Sequence, residues 1–367
     1  MKIIDVSTTQ VFYPDVQPVK HGTSKFSRKH SDQLFVHLKT DEGIEGLGIG
    51  EAPPGARAVV ENGLRDILIG SDPFDIERLW SEMFWRINTY GRTGIALRAL
   101  SAVDIGLWDL KAKALSQPLY KLLGGYTESI LVYGSSGWTS FTEEELLSSL
   151  TKFVELGFVG VKMKVGKDFG NSEREDIDRV AAVRNSIGND VALYVDANGA
   201  YRAKQAIYLA KEYENYQIGW FEEPVIADDI YGLAQVKNSI PIPVATGENE
   251  FTRHGFKELM SRDAVDIVQP DVGRVGGVTE WMKIAQLADS FNLQVASHCL
   301  QFVHIHLACS TPNFKILESL DMDNTTGDIW YTEVPQVQMG KLSPFPDRPG
   351  LGLELDPYAM EKWSVQS

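Results

Sequence analysis

The sequence predicts an α/β chain in which a parallel β/α barrel follows an α+β cap. Three observations predict it. Residues 1–125 read as strands followed by helices, the order of an α+β unit. From about residue 126 short apolar runs alternate with helical segments, as parallel strands with crossover helices do. Those runs end in charged, amide or imidazole side chains, at the end of the strands where such barrels carry their chemistry.

The chain has 367 residues, enough for a large core and two or three domains, and its 43% hydrophobic and 23% charged content is ordinary for a globular protein. No apolar run approaches the roughly 20 residues of a membrane span, so no membrane partner is expected. Met1-Lys2-Ile3-Ile4-Asp5 enters a strand-like alternation without the apolar stretch of a signal peptide. The two cysteines, Cys299 and Cys309, suggest neither a disulfide framework nor a zinc site, and a cytoplasmic location is expected. A net charge of −15 argues against nucleic acid as a partner and leaves carboxylates to serve a cation.

The cap opens with strands at Ile4–Phe12, Gln33–Thr40 and Ile44–Gly50, the last two joined by the turn Asp41-Glu42-Gly43. Between the first two lies Val16–Ser31, a basic loop carrying Lys20, His21, Lys25, Arg28, Lys29 and His30. It is either a solvated surface loop or a lid that meets an anionic substrate. Apolar spacings of three and four predict helices over 57–69, 75–86 and 97–115, the last rich in small residues that permit close packing. Gly124-Gly125 marks a boundary. Barrel strands are expected at 129–136, 158–165, 191–197, 218–222, 243–247, 266–270, 293–297 and 314–318. Helices are expected at 142–156, 172–187, 203–213, 230–237, 252–261, 279–291 and 303–310. The proline-rich tail from 330 is expected to fold back on the cap.

The second strand, Gly160-Val161-Lys162-Met163-Lys164, places two lysines on one face. An exposed edge strand would solvate both. A buried one would disfavour two charges, and a lysine of lowered pKa is a base. The next strands end in Asp196-Ala197-Asn198, Glu222-Glu223-Pro224 and Gly247-Glu248-Asn249. A single strand-end acid is most often a helix cap. Three that converge repel one another unless a cation sits among them, and oxygen-only ligands suit Mg²⁺ rather than zinc. Strand six ends in Gln269-Pro270-Asp271 and strand seven in Ser297-His298, so a carboxylate can hold the imidazole in one tautomer. Glu318, on the last strand, would donate a hydrogen bond to substrate if burial kept it protonated.

With these motifs the sequence resembles, over nearly its whole length, the mandelate racemase-like subgroup of the enolase superfamily. Steps of 26, 26, 23, 27 and 20 residues from Asp196 through Glu222, Glu248, Asp271 and His298 to Glu318 fit that subgroup. They favour Glu222 over Glu223, which is expected to point to the other face. The resemblance implies a modified TIM barrel of (β/α)7β type over 126–329, an N-terminal α+β capping domain over 1–125 bearing specificity loops, and a C-terminal segment, 330–367, packing on the cap.

It further implies one Mg²⁺ per subunit on Asp196, Glu222 and Glu248, with Mn²⁺ as a substitute. Lys164 or His298, on opposite faces, would remove the proton α to a substrate carboxylate. Lys162, Glu318 and the metal would stabilise the enediolate, as enolase-superfamily sites do. Lys162 is expected to lower the pKa of Lys164, and Asp271 to orient His298. Asn198 stands where some sugar-acid dehydratases carry a catalytic histidine, which leaves His298 as the second acid/base. Cys299-Leu300-Gln301-Phe302, His304 and His306 are expected to be packing or surface features.

The reaction expected is dehydration of a sugar acid, aldonate or aldarate, to a 2-keto-3-deoxy acid. The alternatives are a racemase, epimerase or cycloisomerase acting on a sugar acid, its lactone or anhydro form, and then a non-catalytic carboxylate-binding barrel. Tyr90-Gly91-Arg92-Thr93-Gly94 with Ala102-Val103-Asp104-Ile105 looks like the corresponding segments of both galactarate dehydratases and cycloisomerases. The partner is a small-molecule carboxylate, with Lys20, Lys25, Arg28, Arg92, Trp138 and Asn198 as candidate substrate contacts. A homo-oligomer is expected from the family.

Overall fold

The structure is a computed structural model that describes residues 1–13, 18–27, 31–321 and 329–365. Its cap is a three-stranded antiparallel sheet of β1 (Ile3–Tyr13), β2 (Ser31–Thr40) and β3 (Glu45–Glu51) in sequence order. Of the two long helices that follow, α1 (Ile76–Gly91) and α2 (Ile95–Ala114), α2 packs on the sheet and α1 packs against α2. The small residues of α2 explain how close it comes to β3: a Cβ on Gly48 would stand 2.1 Å from the Ala102 carbonyl oxygen. The helix predicted over 57–69 is interrupted by a π-helical turn, Val59–Leu64. Ala56, Val60, Leu64 and Leu68 all face the core at a strict spacing of four. That spacing outruns the 3.6 residues of an α-turn, and a wider turn absorbs the drift.

The barrel strands are β4 (Ile130–Ser136), β5 (Gly160–Lys164), β6 (Ala192–Asp196), β7 (Ile218–Glu222), β8 (Val244–Thr246), β9 (Ile267–Val268), β10 (Gln294–Val295) and β11 (Leu317–Leu320). They pair in parallel and in sequence order from β4 to β10, and β11 pairs with β4. A parallel bridge between Val295 and Phe314 closes the ring. The last predicted strand therefore begins where expected, although residues between that bridge and Leu317 make no continuous ladder.

Seven helices follow the first seven strands. They are α3 (Glu143–Glu155), α4 (Glu173–Ile187), α5 (Ala203–Tyr213), α6 (Ile230–Lys237), α7 (Thr252–Ser261), α8 (Gly277–Ser290) and α9 (Gln301–Ala308). This is the (β/α)7β arrangement. Beyond β11 the chain returns to the outside of the first strand, where β12 (Lys341–Leu342) pairs antiparallel with β4. It ends in α10 (Pro357–Trp363) beside β1, with Trp363 edge-on to Tyr13 at 5.0 Å. Among the described residues no helix is long and apolar enough to cross a membrane.

Two features position the mouth of the barrel. Its interior is plugged from below by Tyr133, Tyr194, Trp220, Ile267, Ala296 and Ile316, with Tyr194 and Trp220 stacked at 3.6 Å. The cap is fixed to the start of α8. There Asp104 accepts from the Thr279 backbone N–H (2.9 Å) and hydroxyl (2.7 Å), and Trp80 Nε1 donates to the Gly276 carbonyl at 2.7 Å. The first turn of α8 leaves backbone N–H groups unpaired, and a carboxylate from the cap supplies one with an acceptor.

Candidate active site

β5 lies between β4 and β6, so Lys162 and Lys164 are not on an edge strand, and both are buried. Lys162 Nζ hydrogen-bonds Glu222 and stands 2.9 Å from Glu318 Oε1 and 3.6 Å from Asp196 Oδ2. Lys164 Nζ hydrogen-bonds Asp196 and lies 5.6 Å from the centre of the Trp138 ring. Burial pushes the Lys164 pKa down, but Asp196 pushes it up and prevails. Lys162 does lower it, as expected, yet by less than its carboxylate partner raises it. The net shift is upward, contrary to the sequence expectation.

Glu318 corrects a second expectation. Burial alone would keep it protonated, but Lys162 holds it well below the usual carboxylate range. Its Oε2 accepts from the Cys299 backbone N–H at 2.8 Å. As the side chains stand, it is an ionised acceptor and not a donor.

Asp196, Glu222 and Glu248 converge at the ends of β6, β7 and β8, each offering an oxygen within 4.8 Å of the others. Glu222 is fixed from below by Trp220 Nε1 (2.9 Å) and Gln269 Nε2 (2.8 Å). Burial pushes Glu222 up to about 7 despite Lys162, and the neighbouring carboxylates add to the shift. Glu223 was expected to face away. Its positive φ of 38° instead turns it inward, where Asn249 Nδ2 binds both oxygens at 2.9 and 3.0 Å. Burial, then Glu248 and Asp196, raise its pKa well above the ordinary value. Crowded, buried, all-oxygen carboxylates of this kind fit a hard divalent cation such as Mg²⁺.

On the other side of the mouth, His298 Nδ1 is 2.7 Å from Asp271 Oδ2 and Nε2 is 3.3 Å from Glu248 Oε2. Asp271 is also held by the Gly273 N–H (2.7 Å) and Arg274 Nε (3.2 Å). Burial would raise Asp271, but Arg274 and His298 outweigh it and hold it at about 2. Arg274 continues into the cap: it bonds Glu51 Oε1 at 2.8 Å, and Glu51 pairs in turn with Arg98 of α2. His304 and His306 are both buried, so a surface role is excluded. His304 Nδ1 bonds the Cys299 carbonyl at 2.7 Å, and His306 Nε2 bonds the Leu351 carbonyl in the tail at 3.1 Å.

The candidate substrate contacts divide. Trp138 is in place, its Nε1 bonded to Asp321 at 3.1 Å. Asn198 follows Asp196 with a φ of 45°; its N–H donates to Asp196 Oδ1 at 2.9 Å, and its own Oδ1 is buried without a hydrogen-bond partner. Lys20 and Lys25 line a cavity of about 470 Å³ together with His21, Thr139, Lys167 and Phe169, and no contact joins either lysine to the carboxylates. Arg28 lies outside the described residues. Arg92 is exposed beyond the end of α1, whereas Arg98 of α2 is linked to the site through Glu51.

The sequence reading placed His21 in the basic loop without giving it a role of its own. Its loop is wedged against the strand ends, with the Gly22 α-carbon so placed that a Cβ would meet the Val165 and Gly166 carbonyls at 2.8 Å. Thr23 Oγ1 bridges His21 Nδ1 and the Asn198 carbonyl, each at 3.2 Å. Burial, then Lys164, lowers the His21 pKa.

Comparison with known proteins now decides the family. Residues 3–124 match the mandelate racemase/muconate lactonizing enzyme N-terminal domain, and residues 145–359 match the enolase C-terminal domain-like family. The chain belongs to the mandelate racemase/muconate lactonizing enzyme family. This member is 34% identical to the 3,6-anhydro-alpha-L-galactonate cycloisomerase of Streptomyces coelicolor, over 88% of this chain and 89% of that one. It is 33% identical to the L-talarate/galactarate dehydratase of Salmonella typhimurium, over 90% and 82%. A racemase structure from Streptomyces coelicolor with bound magnesium superposes with a TM-score of 0.93 at 32% identity, covering 99% of this chain and all of that one.

Proposed function

We propose that the protein is a Mg²⁺-dependent acid-sugar dehydratase. It takes the proton α to the carboxylate of an aldonate or aldarate, passes through an enediolate, and releases a β-hydroxyl to give a 2-keto-3-deoxy acid. The observation that carries the proposal is the placement of Lys164 and His298 on either side of the carboxylate cluster, one touching Asp196 and the other 3.3 Å from Glu248. Two proton-transfer groups flanking one carboxylate-binding centre are what removal of a proton and protonation of a leaving hydroxyl require.

Asp196, Glu222 and Glu248 would hold Mg²⁺, which supplies Lewis-acid stabilisation of the charge developing on the substrate carboxylate. Lys164 relies on Asp196 to keep a proton, and His298 on Cys299 first and then on Glu248. Once Asp196 is committed to a cation, Lys164 loses its main stabilising partner, and burial with Lys162 favours the neutral base. Asp271 holds His298 Nδ1, so Nε2 is the atom that moves a proton. Lys162 adds positive charge beside the developing dianion. Asn198 Oδ1 and His21 are placed to bind substrate hydroxyls.

The relatives include dehydratases and a cycloisomerase, and the likeness to the Streptomyces cycloisomerase favours, as a second reading, opening of an anhydro-sugar acid by the same proton abstraction. Both readings end in a keto acid, so a panel of mono- and diacid sugars and their anhydro forms, incubated with Mg²⁺ and assayed with semicarbazide, is read by product mass. A keto acid lighter than its substrate by one water supports dehydration, whereas a keto acid of unchanged mass formed from an anhydro acid supports ring opening. If no acid in the panel exchanges its α-proton in D₂O, both fail.

A further inference from the structure

Sequence spacing offered no zinc site, yet the fold brings nitrogen, sulfur and oxygen donors together. The strand-seven end carries His298 and Cys299 in succession, and Cys299 and Leu300 adopt left-handed backbone, with φ of 50° and 40°. That conformation is costly for residues other than glycine and folds the Cys299 side chain back over the imidazole. Cys299 Sγ lies 3.4 Å from His298 Nε2. Donor atoms of His298, Cys299 and Glu318 all fall within 4.8 Å of one another.

We propose that His298 Nε2, Cys299 Sγ and a Glu318 carboxylate oxygen form a binding site for Zn²⁺, adjoining the all-oxygen site of Asp196, Glu222 and Glu248. The distances suit that ion. Tetrahedral zinc with bonds of about 2.0 Å to nitrogen and about 2.3 Å to sulfur separates these two donors by about 3.6 Å. The orientation suits it too. Asp271 Oδ2 accepts from Nδ1 at 2.7 Å, so Nε2 is the ring nitrogen that faces the sulfur and would ligate on losing its proton, and a carboxylate behind a ligating imidazole is the arrangement that fixes zinc-binding histidines. A fourth donor is at hand. Glu248 Oε2 is buried, accepts no hydrogen bond among the described residues, and lies 3.3 Å from Nε2, where about 3.4 Å is expected between nitrogen and oxygen ligands of one tetrahedral zinc.

The two sites select different ions. Thiolate and imidazole favour borderline-soft Zn²⁺ over Mg²⁺, while the all-oxygen carboxylate site takes Mg²⁺ because that hard ion suits oxygen ligands and is abundant. Zinc bound here occupies the Nε2 lone pair and releases the protons of thiol and imidazole. On the acid/base reading of His298, on which this consequence rests, Zn²⁺ is an inhibitor that added Mg²⁺ does not displace.

The test uses Co²⁺ as a spectroscopic stand-in, added to the full-length protein in saturating Mg²⁺. The expected result is a near-ultraviolet thiolate-to-cobalt charge-transfer band that saturates at one Co²⁺ per chain and is abolished by Zn²⁺. The band persists in Cys309→Ser and disappears in Cys299→Ser and Cys299→Ala, whose folding is checked by circular dichroism. Absence of the band in the wild-type protein, or its survival in the Cys299 variants, overturns the proposal. Calorimetry gives a second readout: Zn²⁺ affinity at saturating Mg²⁺ falls in Cys299→Ser by at least the about 10- to 100-fold that loss of an outer-shell partner costs, and an unchanged affinity overturns the site. Turnover measured in parallel distinguishes the readings, because a cobalt band with undiminished turnover keeps the metal site and removes His298 from the chemistry.

Discussion

At the scale of single residues, the two proton-transfer candidates differ in what surrounds them, and variants should separate them. Lys164→Ala is expected to lose α-proton exchange from one face by about 10²- to 10⁴-fold, and His298→Asn from the other. Deuterium incorporation followed by NMR on epimeric substrates reads the two faces, and equal loss on both from either variant would contradict the assignment. Lys162→Ala should weaken exchange on both faces without abolishing it on either. Metal dependence is a separate check: Mg²⁺ at about 100 times its dissociation constant stabilises the fold by about 2.7 kcal/mol. That rise in Tm should vanish on chelation and in Asp196→Asn. The lysines, the three carboxylates and the Asp271–His298 pair were legible because β-strands alternate and barrels present their strand ends. Glu318 was misread because its protonation depends on the 2.9 Å to Lys162, a distance no spacing reveals. Glu223 was expected to face away and Cys299 to be a packing or surface feature, and neither reading could include the left-handed backbone that directs their side chains. His21 stood in plain view, but the path of its loop was not.

At the scale of elements, helix α8 shows how the cap governs the site. Its N-terminus follows the loop that carries Asp271 and Arg274, and its capping acceptor is Asp104 from another domain. Burial pushes the Asp104 carboxyl up to about 7 from an ordinary 3.8, against the hydrogen bonds of Thr279. The folded state therefore binds the extra proton between those two values. Stability falls as pH rises through that window, because the unfolded chain ionises Asp104 more readily. Asp104→Asn should flatten the dependence of the urea midpoint between pH 4 and 7; an unchanged slope would show that Asp104 does not titrate there. Asp104→Ala leaves the Thr279 groups unpaired and should cost about 1–3 kcal/mol. The barrel helices were legible almost to the residue from apolar periodicity, with α5, α6 and α7 spanning the ranges expected. The π-turn at Val59–Leu64 was not, since spacings of three and four were read together as one helix and the strict run of four from Ala56 to Leu68 was not separated from them.

At the scale of the whole molecule, one buried carboxylate joins three distant parts of the chain. Asp109 of α2 accepts from the Leu47 N–H of the cap sheet and the Leu351 N–H of the tail, both at 2.7 Å. Asp109→Ala removes both acceptors at once and should destabilise the protein by about 2–5 kcal/mol, with urea denaturation as the measurement. Full stability in that variant would mean that tail and cap do not depend on each other. The order of barrel strands could be read from the alternation, since each crossover places the next strand beside the last. The closure could not, because the Val295–Phe314 bridge joins residues with no pattern in common.

The chain of charges Asp271–Arg274–Glu51–Arg98 has a consequence for how such a protein can be altered. Substrate preference invites exchange of caps between relatives, as though cap and barrel were interchangeable modules. Here Glu51 belongs to the cap, and the mostly buried guanidinium it neutralises belongs to the barrel. A donor cap lacking an acid at that position would leave Arg274 only its barrel partners, take from Arg98 the carboxylate it pairs with, and loosen the seat of Asp271. Grafts and randomised libraries should therefore carry positions 51, 98 and 274 as a single inherited unit.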